Sequence, residues 1–131
     1  MKRIIPLILL AVGNLAAAET PGQIAASYAA QQGGGFRPSA QRGADLYKRQ
    51  FSVSAKMPGC SSCHTDLPAT PGRHVVTGKD IKPLAPAGNA ERFTDPAKVE
   101  KWFKRNCKEV VGRECSAGEK ADFITYLTEV R

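Results

Sequence analysis

Residues 60–64 read Cys-Ser-Ser-Cys-His, and no other five residues limit the chain so tightly. Two thiols separated by two residues, followed at once by an imidazole, are the attachment signature of a c-type haem. The thiols add to the two haem vinyl groups as thioethers, and the histidine after them lies over the iron and supplies an axial nitrogen. Cys60 and Cys63 are therefore the expected attachment points and His64 the expected iron ligand. Two other chemistries use closely spaced thiols. A thioredoxin-type dithiol needs a βαβ setting, and strand-like runs are scarce here. A zinc site needs a second pair of ligands at matching spacing; His74 is a candidate, but Cys107 and Cys115 are not closely spaced.

The N-terminus reads as a leader. Met1, Lys2 and Arg3 make a positive start, Ile4 to Val12 is almost wholly apolar, and Ala16-Ala17-Ala18 has the small-residue pattern of a cleavage site. A secretory signal peptide is expected over residues 1–18, with cleavage before Glu19 and delivery to the periplasm. The apolar run is short and broken by Pro6, Gly13 and Asn14, which argues against a membrane span. The chain beyond the leader is long enough for one domain with one small core. The formal net charge of +7 includes Lys2 and Arg3. A mild positive excess suits docking to an acidic protein. No basic–aromatic repeat accompanies it, so nucleic acid is not indicated.

Thr20, Pro21 and Gln23 have the pattern of a helix start, and Gly33-Gly34-Gly35 should end that helix after Gln32. Ser39 can cap a second helix over about 40–51, on which Gly43 would let another helix cross closely. The stretch 65–93 holds Pro68, Pro71, Pro83 and Pro86 and reads as loop. A haem edge gives so long a loop something to pack on. Asp95-Pro96 starts a third helix, and Ser116 to Glu119 is a capping box that opens a last one, to about Val130. Phe123, Tyr126, Leu127 and Val130 form its apolar stripe. This order resembles a class I cytochrome c, an all-α fold around one haem, here with an additional N-terminal helix. The expected division is a helix and linker over 19–38 and a cytochrome domain over 39–131. In that family a helix before the motif crosses the C-terminal one; the matching segments are 39–51 and 116–130.

Such cytochromes usually take a methionine as second axial ligand, and this chain departs from that. Met1 leaves with the leader, Met57 lies just before the haem motif on the segment leading to the proximal side, and no methionine comes after the motif. His74, Lys79, Lys82, an asparagine, water or an open position remain. On a wheel of about 100° per residue, Val99, Trp102, Phe103 and Asn106 share one helix face. Trp102 and Phe103 are candidates to pack on the haem. Asn106 is either a helix stop, since Asn tolerates the left-handed conformation, or a buried amide in need of a partner. Its carbonyl oxygen could be an iron ligand. Oxygen donors are hard and favour Fe(III), so such a bond would weaken on reduction and open a site for O₂, NO or CO.

The runs TGKDIKPLAP (77–86), RFTDPAKVEKWFKRNC (92–107), GREC (112–115) and GEKAD (118–122) resemble the sphaeroides haem protein (SHP) type of oxygen-binding cytochromes c. The resemblance implies that Asn106 is the distal ligand in the oxidised state and leaves on reduction. It implies a disulfide between Cys107 and Cys115. It also implies a di-haem cytochrome c as electron donor and raises NO dioxygenase-like turnover as a candidate activity. The disulfide is consistent with residue arithmetic, because these two thiols are left over after haem attachment in an oxidising compartment. Lys98, Lys101, Lys104 and Lys108 lie off the apolar stripe as a solvated face or a docking surface for an acidic donor, with Glu100 and Lys104 spaced as an i,i+4 pair. A plain electron carrier with an unusual ligand set is the alternative function.

Overall fold

The computed structural model describes residues 17–131, so the expected leader over residues 1–18 lies almost wholly outside the described residues. Helix α1 (Pro21–Gln32) begins where expected. Gln23 N–H donates to Thr20 Oγ1 (3.2 Å) while Thr20 N–H donates to Gln23 Oε1 (2.8 Å), a reciprocal cap. Gly33, Gly34 and Gly35 come next with positive φ and stop it. Helix α2 (Ala40–Lys48) is capped by Ser39 and ends short of the expected Phe51. The chain turns extended at Arg49, and Phe51 N–H donates to the carbonyl of Pro58 at 2.6 Å. That bond closes a short loop delivering the haem motif, whose turn is α3 (Ser61–His64).

The proline-rich stretch is loop apart from a small antiparallel hairpin, β1 (Gly72–Arg73) with β2 (Asp80–Ile81), in which Gly72 pairs with Ile81. Helix α4 (Pro96–Asn106) starts on an Asp95 cap, whose carboxylate accepts from Lys98 N–H at 3.2 Å. It does not stop at Asn106. That residue keeps right-handed helical angles (φ −70°, ψ −36°), and the chain widens into a π-helical turn over Cys107–Val111. The left-handed stop comes at Gly112 (φ 84°), where no Cβ opposes it. Helix α5 (Ala117–Glu129) opens on the Ser116–Glu119 capping box.

The core is helical. Helix α5 packs against both α2 and α1, with Ala121, Phe123, Ile124 and Leu127 buried against Leu46 and Tyr47 of α2 and Ile24, Ala25 and Tyr28 of α1. The α2–α5 crossing is as close as the sequence predicts. A Cβ on Gly43 would overlap the backbone carbonyl of Asp122 and reach within 2.8 Å of Tyr126 Cβ. Beside it the buried carboxylate of Asp122 accepts from Arg42 Nε (2.7 Å), Arg42 Nη2 (2.9 Å) and the Ser39 amide (2.6 Å). The fork-on-carboxylate pairing locks helix against helix where the backbones touch.

Helix α1 also buttresses α4. Tyr28 stacks edge-on to Phe103 at 5.9 Å, and its hydroxyl donates to Glu100 at 2.6 Å. Glu100 turns to Lys120 of α5 (2.9 Å) instead of pairing with Lys104, its helical neighbour. Tyr28 and Lys120 together hold the Glu100 carboxyl below its ordinary range. Substituting Gly43→Ala should therefore cost about 1–3 kcal/mol by overpacking a contact that is backbone on one side. A lowered denaturation midpoint with unchanged m-value checks it; wild-type stability would show that the crossing has slack.

Candidate haem site

The turn that carries the motif is held from outside. Tyr47, wholly buried, donates its hydroxyl to the carbonyl of Thr65, the residue after His64. Thr65 adopts φ 64°, ψ 175°, a region otherwise reserved for glycine. Such a conformation costs on the order of 1–3 kcal/mol and persists only where neighbours over-determine it. Here they do: Thr65 N–H donates to Ser61 O (2.9 Å), and Thr65 Oγ1 accepts from Leu67 N–H (3.1 Å). On the other side a Cβ at Gly72 would overlap the Cys63 carbonyl, so the hairpin backbone rests directly on the turn.

A cavity of about 590 Å³ opens beside this turn, of a size that takes a cofactor. Cys60, Cys63 and His64 form one part of its wall. Trp102, Phe103 and Asn106 of α4 form another, and the π turn adds Cys107, Val110 and Val111. Cys115 lines it as well, joined to Cys107 as a disulfide in the structure. The attachment thiols, His64, Trp102, Phe103, Asn106 and the Cys107–Cys115 pair thus border one space, whereas Lys82 does not line it. The aromatic part is continuous: Trp102 lies 6.3 Å from the His64 ring, 5.1 Å from Phe103 and 5.8 Å from Phe123.

The donor set fits a covalently held haem. Cys60 and Cys63 are unpaired thiols, and burial pushes the Cys60 thiol up to about 11, with Cys63 adding to the shift. The His64 imidazole is pushed down to about 4, chiefly by burial and also by the charge of Arg92. It is therefore neutral near pH 7, the state in which an imidazole binds metal. Its Nδ1 is buried without any hydrogen-bond partner among the described residues. No hydrogen bond among the described residues engages the ring, so the neutral imidazole is free to act as a nitrogen donor.

Asn106 is half-buried in the cavity wall. Its Nδ2 donates back to the Trp102 carbonyl at 2.9 Å. That bond fixes which way the amide faces, and Oδ1 has no hydrogen-bond partner among the described residues. His74 also borders the cavity, on the hairpin. Its Nδ1 accepts from the amides of Val76 and Thr77, both at 3.2 Å. Those two bonds engage the Nδ1 lone pair within the hairpin. Lys79 borders the cavity as well. Tyr47, Thr65 and Arg92 were not foreseen from the sequence. Tyr47 had a weak signal, a polar tip beside Leu46 on a helix face; a Thr in a glycine conformation and an inward Arg in a loop had none.

A family model described as a domain of unknown function, DUF1924, matches residues 34–127. Cytochrome c-type protein SHP of Cereibacter sphaeroides is 40% identical over 129 residues, covering 97% of this chain and 98% of that one. Cytochrome c'' of Methylophilus methylotrophus is 48% identical over 91 residues, 69% of this chain; the alignment spans 63% of the length of that relative. The solved structure of oxidised SHP, an oxygen-binding cytochrome c, superposes with a TM-score of 0.77 at 41% identity, covering 84% of this chain and 96% of that one. The solution structure of cytochrome c'', determined with attention to the basis of haem-ligand detachment, gives 0.72 at 40% identity, covering 85% and 94%. Sequence, fold and the thiol–imidazole turn agree: this chain belongs to the SHP and cytochrome c'' family of c-type cytochromes, with haem c covalently attached.

Proposed function

We propose that this chain is an exported, gas-binding cytochrome in which His64 holds the haem iron in both redox states and Asn106 Oδ1 holds it only in the oxidised one. The observation that carries this reading is the Asn106 amide: its nitrogen is tied to Trp102 and its oxygen is unpartnered, in the wall of the cavity that His64 and both attachment thiols share. Haem c so held supplies a redox-active iron with one weakly held coordination position, available to O₂, NO or CO in the ferrous state. The oxygen-binding relative and the relative studied for ligand detachment support the same reading.

The chain's own residues perform three tasks in it. Cys60 and Cys63 fix the cofactor in place and His64 supplies a neutral nitrogen donor. Trp102 and Phe103 exclude water and keep α4 against the haem. Asn106 supplies a hard oxygen that suits ferric iron and gives way in the ferrous state. Its Nδ2–H₂ would then be one donor available to an incoming diatomic. Electrons would come from a partner cytochrome, such as a di-haem protein with an acidic face, meeting a surface on which Lys98, Lys101, Lys104 and Lys108 are all exposed. NO turnover in the presence of O₂ needs no further acid–base residue. The leader over residues 1–18 and the oxidised cysteine pair agree with a periplasmic location.

Asn106→Ala should change the absorption spectrum of the oxidised protein and leave CO binding by the reduced protein intact. An unchanged oxidised spectrum removes Asn106 from the iron. A wild-type ferrous spectrum that ignores CO returns the protein to simple electron transfer. The Cys107–Cys115 bridge closes so short a ring that its chain-entropy contribution is about 2.5 kcal/mol at most. Its larger effect is to tether the residue next to Asn106. In a Cys107→Ser, Cys115→Ser variant the amide should leave more readily and CO should associate several-fold faster; a native rate in stopped flow refutes the tether.

A further inference from the structure

Arg92 is a cation in an unusual position. It ends the proline-rich loop and precedes Phe93, whose positive φ (57°) turns its own ring into the core. The Arg92 side chain is half-buried and borders the haem cavity. Its Nε donates to Pro83 O at 2.9 Å and its Nη2 to Lys82 O at 2.8 Å. Those carbonyls are themselves fixed. The next two residues, Leu84 and Ala85, are buried, and both donate their amides to Pro68 O at 2.9 and 2.8 Å. Two backbone bonds therefore aim the guanidinium without neutralising it.

No carboxylate does so either. Arg42 pairs with Asp122, Arg73 with Asp80 and Arg113 with Glu119, whereas Arg92 forms no ion pair among the described residues. A guanidinium has five N–H donors, and the two backbone bonds use two of them. Burial without a counter-charge shows in the direction of its titration, which desolvation lowers. A cation held this way, beside the seat of a cofactor that carries two carboxylates, lacks only an anion.

We propose that Arg92 is a carboxylate-binding subsite of the cavity and that a haem propionate is its counter-ion, held by the N–H groups left free of Lys82 and Pro83. The planar fork matches a carboxylate, and the backbone bonds preorganise it. This rests on covalent haem attachment and is independent of whether Asn106 leaves the iron. A positive charge near the haem disfavours the ferric state, so Arg92 raises the reduction potential.

The test uses the holoprotein and its Arg92→Gln and Arg92→Lys variants, with spectroelectrochemical titration at mildly alkaline pH. Gln should lower the midpoint potential, and Lys should restore most of the difference. An unchanged potential in Gln overturns the proposal. Titrating wild type with chloride, and separately with inorganic phosphate, separates the two sources of an anion. A propionate partner predicts a potential indifferent to both, and a saturable shift would assign the subsite to a free anion instead. Should the Gln variant not accumulate, nuclear Overhauser spectra of wild-type holoprotein decide. Cross-peaks between Arg92 side-chain protons and propionate methylene protons are expected, and their absence overturns the proposal.

Discussion

The contact between Tyr47 and the carbonyl of Thr65 is the hinge on which the arrangement depends. It joins the helix bearing the tightest backbone crossing to the residue that ends the haem turn. Without a fixed Thr65, the four-residue helix α3 has little to hold it, since so short a helix makes few bonds of its own. With it, two thiols and an imidazole present themselves on one wall. The unusual conformation at Thr65 is held by its bonds to Ser61 and Leu67 and by Tyr47, which is itself packed in the α2–α5 interface. The proximal side is thus stiff because it is anchored in the best-packed part of the molecule.

The opposite wall is built differently. Helix α4 is braced by α1 and α5 through Tyr28, Glu100 and Lys120, but its last turn is not an ordinary one. Past Asn106 the hydrogen-bond pattern loosens into a π turn, a feature that gathers at functional sites. Asn106 therefore sits where a rigid rod becomes a wider and softer coil. A cross-link to Cys115 limits how far that coil can travel. A firmly anchored turn below and a widened helix end above are what the proposed pair of one permanent and one releasable ligand would need.

Much of this was legible in the residues. Caps are written in short local code, so Thr20, Asp95 and Ser116 marked the starts of their helices to the residue. Gly43 announced a close crossing because a glycine on a helix face has few other uses. The haem turn was readable because its chemistry demands that spacing. The unread features depend on contacts outside a helix's own repeat. Nothing local says that α2 should stop at Lys48, because the bond from Phe51 to Pro58 is made across a loop. Glu100 has a lysine at the expected helical spacing, yet it finds Lys120 on another helix. The continuation past Asn106 was hidden for a related reason: asparagine permits a stop but does not compel one, and the bridge and Gly112 together move the stop onward.

The placement of the four cysteines carries an implication for biogenesis. In the finished fold Cys60 and Cys63 are partly covered and Cys107 and Cys115 are buried. Four thiols admit three ways of pairing fully, and a single one of them joins Cys107 to Cys115. Even that one would bridge Cys60 to Cys63 and so consume the groups that must capture the cofactor. Oxidative maturation and cofactor ligation thus compete for the same nascent chain. Thioether attachment therefore requires Cys60 and Cys63 as free thiols in a chain whose other two cysteines are joined.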